Sequence, residues 1–260
     1  EAPVLVDGRR RRWQEHNQVR RQTIIDAAIT VLERQAPGEE VQVQAVADEA
    51  AMSRTVIYRH FTDRADLDRA VQRQICMDLG VALHPALTYQ GTADAVIHGL
   101  VAALVRWAHD HPNLYFFAER DLAGWGPSPL TKAIEQVAQD IEKVMAIVLA
   151  ALDADLDDDE RAALDPWVFG MIGAAFAAVR RWLERPVRAP GLETFTAILS
   201  ESITAQINGM STARGLNLPD LPLSDLMRRW TGAASASPPT ARSSSTRMAV
   251  RRRSSFPTTR

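Results

Sequence analysis

Apolar positions recur at three- and four-residue intervals almost everywhere between Trp13 and Ala213. Ile24, Ala27, Ala28, Val31 and Leu32 stand at i, i+3, i+4, i+7 and i+8, which predicts an amphipathic helix that Pro37-Gly38 ends. No run sustains apolar–polar alternation. Val41 and Val43 alternate briefly, but Val46-Ala47-Asp48-Glu49-Ala50 follows and suits a short helix better. Breaks fall at His84-Pro85 to Gly91, at Pro112, at Gly124 to Pro127, and between Pro186 and Pro190. Thr92, Ser128-Pro129 and Asp165-Pro166 read as helix starts, a capping side chain or a proline in the first turn. Asp153 to Asp159 reads as an acidic connector. Long helices are predicted from Ser128 to Leu152, from Asp165 to Arg185 and from about Leu192 to Ala213. The pattern gives about nine helices and an all-α fold with no internal repeat.

Composition narrows this little. Of 260 residues, 46% are hydrophobic and 24% charged, the mix of a soluble globular chain. The longest strictly apolar run, Trp167 to Val179, is shorter than the roughly 20 residues a bilayer span needs, so no transmembrane helix is expected. Arg9–Arg12 is followed by Trp13 and polar residues, unlike a secretory leader. A cytoplasmic protein is the expectation. The lone cysteine, Cys76, forbids an internal disulfide and any zinc site built on several cysteines.

The net charge of −2 hides an asymmetry. Residues 81–231 carry 12 basic and 19 acidic side chains, whereas residues 232–260 carry 6 and 0. Arg9 to Arg12, Arg20 and Arg21 cluster near the start against Glu15 alone, either a footprint for nucleic acid or a solvated terminus. From Thr231 onward the Ser/Thr/Pro/Arg-rich sequence has too little apolar surface to offset ordering entropy and reads as disordered.

One segment carries a specific signal. Gln42 to Ala50, the turn Ala51-Met52 and Ser53 to His60 match a helix-turn-helix, with Ser53 the N-cap of its second helix. Steps of 100° place Ile57 and Phe61 on one face, towards Val46, Ala47 and Ala50. Arg54, Thr55, Tyr58 and Arg59 project from the other face. Such a helix fits the major groove, where arginine grips guanine O6/N7 and threonine meets the thymine methyl. Tyr58 and His60 are placed to donate to phosphates, which fix register.

Ile24 to Leu67 resembles the DNA-binding domain of the tetracycline-repressor (TetR) family. The matching residues are Ala27-Ala28, Val46-Ala47, Ala50-Ala51-Met52-Ser53, Ile57-Tyr58-Arg59-His60-Phe61, Arg64 and Leu67. The resemblance implies base contacts from Gln44, Arg54, Thr55 and Val56, and backbone contacts from Tyr58 and His60. Arg64 stands where a lysine reaches phosphate, and Gln42 where a phosphate-binding threonine is common. With Ser53 and Arg59 these are the candidate DNA-binding residues. His60 either meets phosphate or braces the domain. Ala51 replaces a frequent turn glycine, and if φ there is positive, alanine costs about 1 kcal/mol. Thr55-Val56 departs from the commoner Gly-Thr, so the half-site sequence does not transfer.

The resemblance divides the chain into a basic arm (1–18), a helix-turn-helix domain (19–67), a ligand-binding and dimerisation domain (68–215) and a C-terminal segment (216–260), disordered from about 231. It implies a sequence-specific regulator, a ligand-released repressor bound as a homodimer to a palindromic DNA operator. Its effector would be an apolar small molecule, with Trp107, His111, Tyr115, Phe116, Arg120, Trp125 and Met145 as candidate ligand residues. Gly170, Gly173, Ala174 and Ala177 share one face, and Phe195, Ile198 and Ile203 another, so these are the candidate dimer interface.

The alternative is a DNA-binding regulator without a small-molecule inducer, controlled by a partner or acting as an activator. An enzyme is not supported. His109 and His111 fall on different helix faces, Asp157-Asp158-Asp159-Glu160 reads as a capping connector, and no phosphate-binding, dinucleotide or nucleophile-elbow motif occurs. No cofactor, metal or membrane partner is expected.

Overall fold

A computed structural model describes residues 5–35, 39–87, 90–120, 126–152, 154, 156–216, 219–226 and 228. Pro37-Gly38, Trp125 and the segment from Thr231 lie outside the described residues. Those described form no strand. In chain order they form α1 (Leu5–Arg34), α2 (Val43–Glu49), α3 (Arg54–His60), α4 (Arg64–Leu83), a 3-10 turn (His84–Leu87), α5 (Ala93–Asp110), α6 (Pro112–Ala118), α7 (Pro129–Ala151), α8 (Asp158–Leu183) and α9 (Leu192–Ala213).

Side chains that accept backbone N–H bonds set most helix starts, relieving donors that have no partner within the helix. Ser53 accepts from Val56, Asp63 from Asp66, Thr92 from Ala95, and Ser128 from Thr131. Two expectations fail. Asp165-Pro166 does not start a helix, and Pro166 lies inside α8. The stronger signal is upstream: the Asp157 carboxylate accepts from Glu160 N–H, and the Glu160 side chain accepts from Asp157 N–H. That reciprocal cap, with Asp158 and Asp159 at the positive end of the helix dipole, starts α8 despite an interior proline costing about 3 kcal/mol. The second failure concerns the arm, which is not separate from the first domain. The boundary at residues 18–19 falls within α1, which is helical from Leu5.

One contiguous core runs from head to body. Ile24, Ala28 and Val31 of α1 meet Val46 and Ala47 of α2, Ile57 of α3, Phe61, and Leu67 and Val71 of α4. It continues through Ile75 into Val105, Trp107, Leu114, Tyr115, Val179 and Trp182. Helix α6 is tied to three neighbours. Asn113 donates to the carbonyls of Leu32 and Gln35 at the end of α1, and Tyr115 Oη donates to the Phe176 carbonyl of α8 at 2.7 Å. Gln72 of α4 donates to the Phe117 carbonyl.

α8 is the one described helix long and apolar enough by composition to cross a membrane, and only 22% of its most apolar stretch is buried. Its longest unbroken apolar run is nevertheless shorter than a span needs, and the helix passes on length and composition alone.

Candidate nucleic-acid interface and apolar cavity

The turn between α2 and α3 brings two short helices together around small side chains. Ala47 and Ile57 are fully buried, and Met52 N–H donates to the Ala47 carbonyl at 2.9 Å. The turn requires a left-handed residue, and Ala51 has φ 51°, a conformation in which a Cβ is unfavourable. With Ile57 and Phe61 buried, Arg54, Thr55, Tyr58 and Arg59 are exposed on the opposite face of α3. Ser53 is held as the cap, and Val56 is half-buried. Gln42, the N-cap of α2, and Gln44 within it are exposed, with Gln44 Nε2 donating to Asp48 at 2.8 Å.

Two residues depart from their expected placement. Arg64 is turned inward: its Nε donates to Asp68 at 2.7 Å and its Nη1 to the Val41 carbonyl at 2.6 Å. It therefore braces the α2–α4 junction, and reaching a phosphate would cost both bonds. His60 is half-buried, and its Nδ1 is buried without a hydrogen-bond partner. Burial, then the positive charges of Arg20 and Arg21, push its pKa below the ordinary histidine value. Arg21, which the sequence marks only as part of a basic cluster, has a specific place. Its guanidinium lies 4.3 Å from the Phe61 ring centroid and 3.7 Å from Asp66. Spacing gives no sign of this contact, because it joins separate elements.

A cavity of about 340 Å³ lies between α4, α5, α7, α8 and α9. Its walls are stripes of Leu, Ile and Val, including Leu100 and Leu104 of α5, Ile134, Ile141 and Val148 of α7, and Ile203 and Ile207 of α9. Among the described residues that line it, Phe176 is the one aromatic, Cys76 and Ser211 bring the thiol and the hydroxyl, and none is charged. Of the candidate ligand residues that are described, only Met145 lines this cavity.

The others have structural roles. Trp107 is buried and packs on His111 at 5.4 Å. His111 Nδ1 pairs with Glu33 at 2.6 Å, Tyr115 is bonded to α8, and Phe116 packs edge-on to Tyr115. The Arg120 guanidinium lies over Phe117. Large aromatics fill space and bonded polar groups close it, so the void remains between aliphatic stripes. The repeat of Leu130, Ile134, Val137, Ile141 and Val148 on α7 is the signal in the sequence that marks it.

The candidate interface residues divide in the same way. Gly170, Ala174, Ala177 and Ile198 are exposed, and Gly173 is half-exposed. Phe195 instead stacks on Trp182 with centroids 5.0 Å apart, and Ile203 is buried against the cavity. Both therefore pack within the chain. Among the described residues no group of three or more His, Cys, Asp or Glu side chains could hold a metal ion.

A helix-turn-helix presenting arginine, threonine and tyrosine outward, joined to a cavity-bearing helical body, defines a DNA-binding regulator. The family model described as bacterial regulatory proteins of the tetR family matches residues 24–71. An uncharacterised HTH-type transcriptional regulator of Mycobacterium tuberculosis strain H37Rv is 26% identical over 193 residues, 70% of this chain and 76% of that protein.

In structure, a tetR-family regulator from Streptomyces coelicolor superposes with a TM-score of 0.55 at 21% identity, covering 83% of this chain and 89% of its own. RolR in complex with resorcinol gives 0.54 at 16% identity, with 84% and 96% covered. These two establish likeness of fold. Residues 24–71 thus carry a DNA-binding domain of the tetR type, and over 70% of its length the chain is similar to an HTH-type transcriptional regulator.

Proposed function

We propose that this chain is a cytoplasmic, ligand-released repressor that binds a palindromic operator as a homodimer. The observation that carries the proposal is α4, a single helix with one end in each part of the molecule. Leu67 and Val71 pack in the head, whereas Cys76, Leu79 and Leu83 line the cavity. An occupant that prefers one shape of the cavity biases the placement of α4, and with it the spacing of two α3 helices in a dimer. The shift is limited to the occupant's differential affinity for the two placements.

Residues up to 67 form the reading head in this proposal, and residues 68–215 the effector and dimerisation domain. Arg54 and Thr55 read base edges, with Gln44 and Val56 at the margins of the same surface. Tyr58, Arg59 and Gln42 meet backbone. The exposed small-residue face of α8 and Ile198 of α9 meet a second copy, covering apolar surface that the chain leaves open. Half-sites one helical turn or a small multiple apart follow from two-fold symmetry.

The effector is uncharged and aliphatic. An anionic or phenolic ligand would be desolvated against walls that offer one hydroxyl and one thiol, and an unmade buried hydrogen bond costs about 1–3 kcal/mol. RolR supports a small-molecule occupant for this fold, but the hydroxyls of resorcinol would find few partners here.

The test is fluorescence anisotropy on a duplex selected by the purified protein from a random pool. Arg54→Ala should weaken selective binding about 5- to 150-fold, the worth of one bidentate base contact, with unchanged thermal melting. Failure of the purified dimer to enrich any sequence would sink the reading.

A further inference from the structure

α1 is much longer than the head requires. Its buried residues run from Ile24 to Leu32, yet the helix begins at Leu5. Every residue from 13 to 20 is exposed, including Trp13 and Val19. At about 1.5 Å per residue, the stretch from Leu5 to Arg20 extends about 22 Å beyond the packed part of the helix.

Contacts at its base show where it leaves the fold. Arg21 sits over Phe61, directly after α3, and faces Asp66 in the first turn of α4. At the opposite end of α1, Arg34 Nη1 bonds Glu49 at 2.6 Å. The extension therefore departs past the C-terminal end of α3, at the margin of the reading surface. Residues 5–21 contain Arg9, Arg10, Arg11, Arg12, Arg20 and Arg21 against Asp7 and Glu15. A largely polar helix of this length is marginal in water by itself, and a polyanion alongside supplies what packing does not.

We propose that the α1 extension is a second DNA-binding element, laid on the sugar–phosphate backbone of the duplex outside each half-site. It adds affinity through charge and reads no bases. The inference rests on the reading of α3 as the helix in the groove. It adds flanking DNA as a partner and assigns Arg9 to Arg12 a function separate from recognition.

The experiment uses the full chain and the pool-selected duplex in two lengths, one ending at the half-sites and one extended by about 7 base pairs on each side. Wild type should bind the longer duplex at least 10-fold more tightly at moderate salt. Arg9→Ala/Arg10→Ala/Arg11→Ala/Arg12→Ala should abolish that difference and keep sequence preference. The slope of log K against log salt should fall by up to about 3–4 per protomer, near 0.9 for each phosphate that is no longer neutralised. The matching four-lysine variant should restore both.

A four-alanine variant with wild-type slope and length dependence overturns the inference. Loss of sequence preference with unchanged melting also overturns it, because the arm would then be reading bases. If wild type selects no sequence, the reading of α3 fails instead, which keeps the two failures distinguishable.

Discussion

The Gln72 side chain of α4 donates to the Arg120 carbonyl at 2.7 Å, and the same amide nitrogen donates to the Phe117 carbonyl at 3.0 Å. Gln72 is 1% exposed. One buried amide thus pins the middle of the connecting helix to the end of α6, the helix that also touches α1 and α8. Replacing it with methionine keeps the volume but takes the side-chain donor from the Arg120 carbonyl, while the Phe117 carbonyl keeps the Arg120 N–H, at about 1–3 kcal/mol. For a chain of this size, Gln72→Met should lower Tm by about 2–10 °C in a thermal melt.

Ala51 offers the opposite sign. It sits at φ 51° in the turn that sets the angle between α2 and α3. Glycine removes the Cβ conflict and adds some unfolded-state entropy, leaving a net gain of about 0.5–1 kcal/mol. Ala51→Gly should raise the denaturant midpoint with an unchanged slope.

Glu119 is a pH-dependent liability. Burial raises its pKa, and the charge of Arg180, 3.7 Å away, offsets this only in part. The Tyr115 hydroxyl beside it also favours the charged form, without cancelling the cost of burial. A raised carboxylate pKa contributes stability that is complete below the ordinary carboxylate range and is lost as pH rises through the folded-state value. Glu119→Gln should therefore be more stable than wild type near pH 7, and the difference should shrink as pH falls into the ordinary carboxylate range. Paired thermal melts near pH 7 and in that range check it.

The α8 and α9 faces separate association from folding. Ala174 and Ile198 are exposed in the chain, so Ala174→Glu and Ile198→Glu should each reduce the mass measured by light scattering from dimer to monomer. Phe195→Ala removes a ring stacked on Trp182 and should instead cost about 2–3 kcal/mol of stability, less than a fully buried phenylalanine. If Ile198→Glu stays dimeric, the open face is not the interface.

Local physics makes the helix starts and the packing of the head legible. Ser53, Thr92 and Ser128 act through their own backbone neighbours, and the burial of Ile57 and Phe61 follows from helical spacing alone. Legibility fails where signals compete or distant segments decide. Asp165-Pro166 loses to the reciprocal cap of Asp157 and Glu160, which stand only three residues apart and are visible in the sequence. Aromatic side chains suggest a cavity around themselves, but Trp107 and Tyr115 are the residues that fill the body. What remains open depends on how the stripes of α5, α7 and α9 diverge. Its place in the motif points Arg64 outward, and the Val41 carbonyl that turns it inward lies 23 residues earlier.

Cys76 gives the cavity a built-in reporter. It is the sole thiol of the chain and faces the aliphatic walls. Burial pushes its pKa to about 11, so at neutral pH it persists as the unreactive thiol and resists casual oxidation. A small uncharged alkylating reagent would label it slowly, and any molecule filling the cavity would slow it further. Candidate occupants can thus be ranked on the unaltered protein, without an operator in hand, by the rate at which one sulfur disappears.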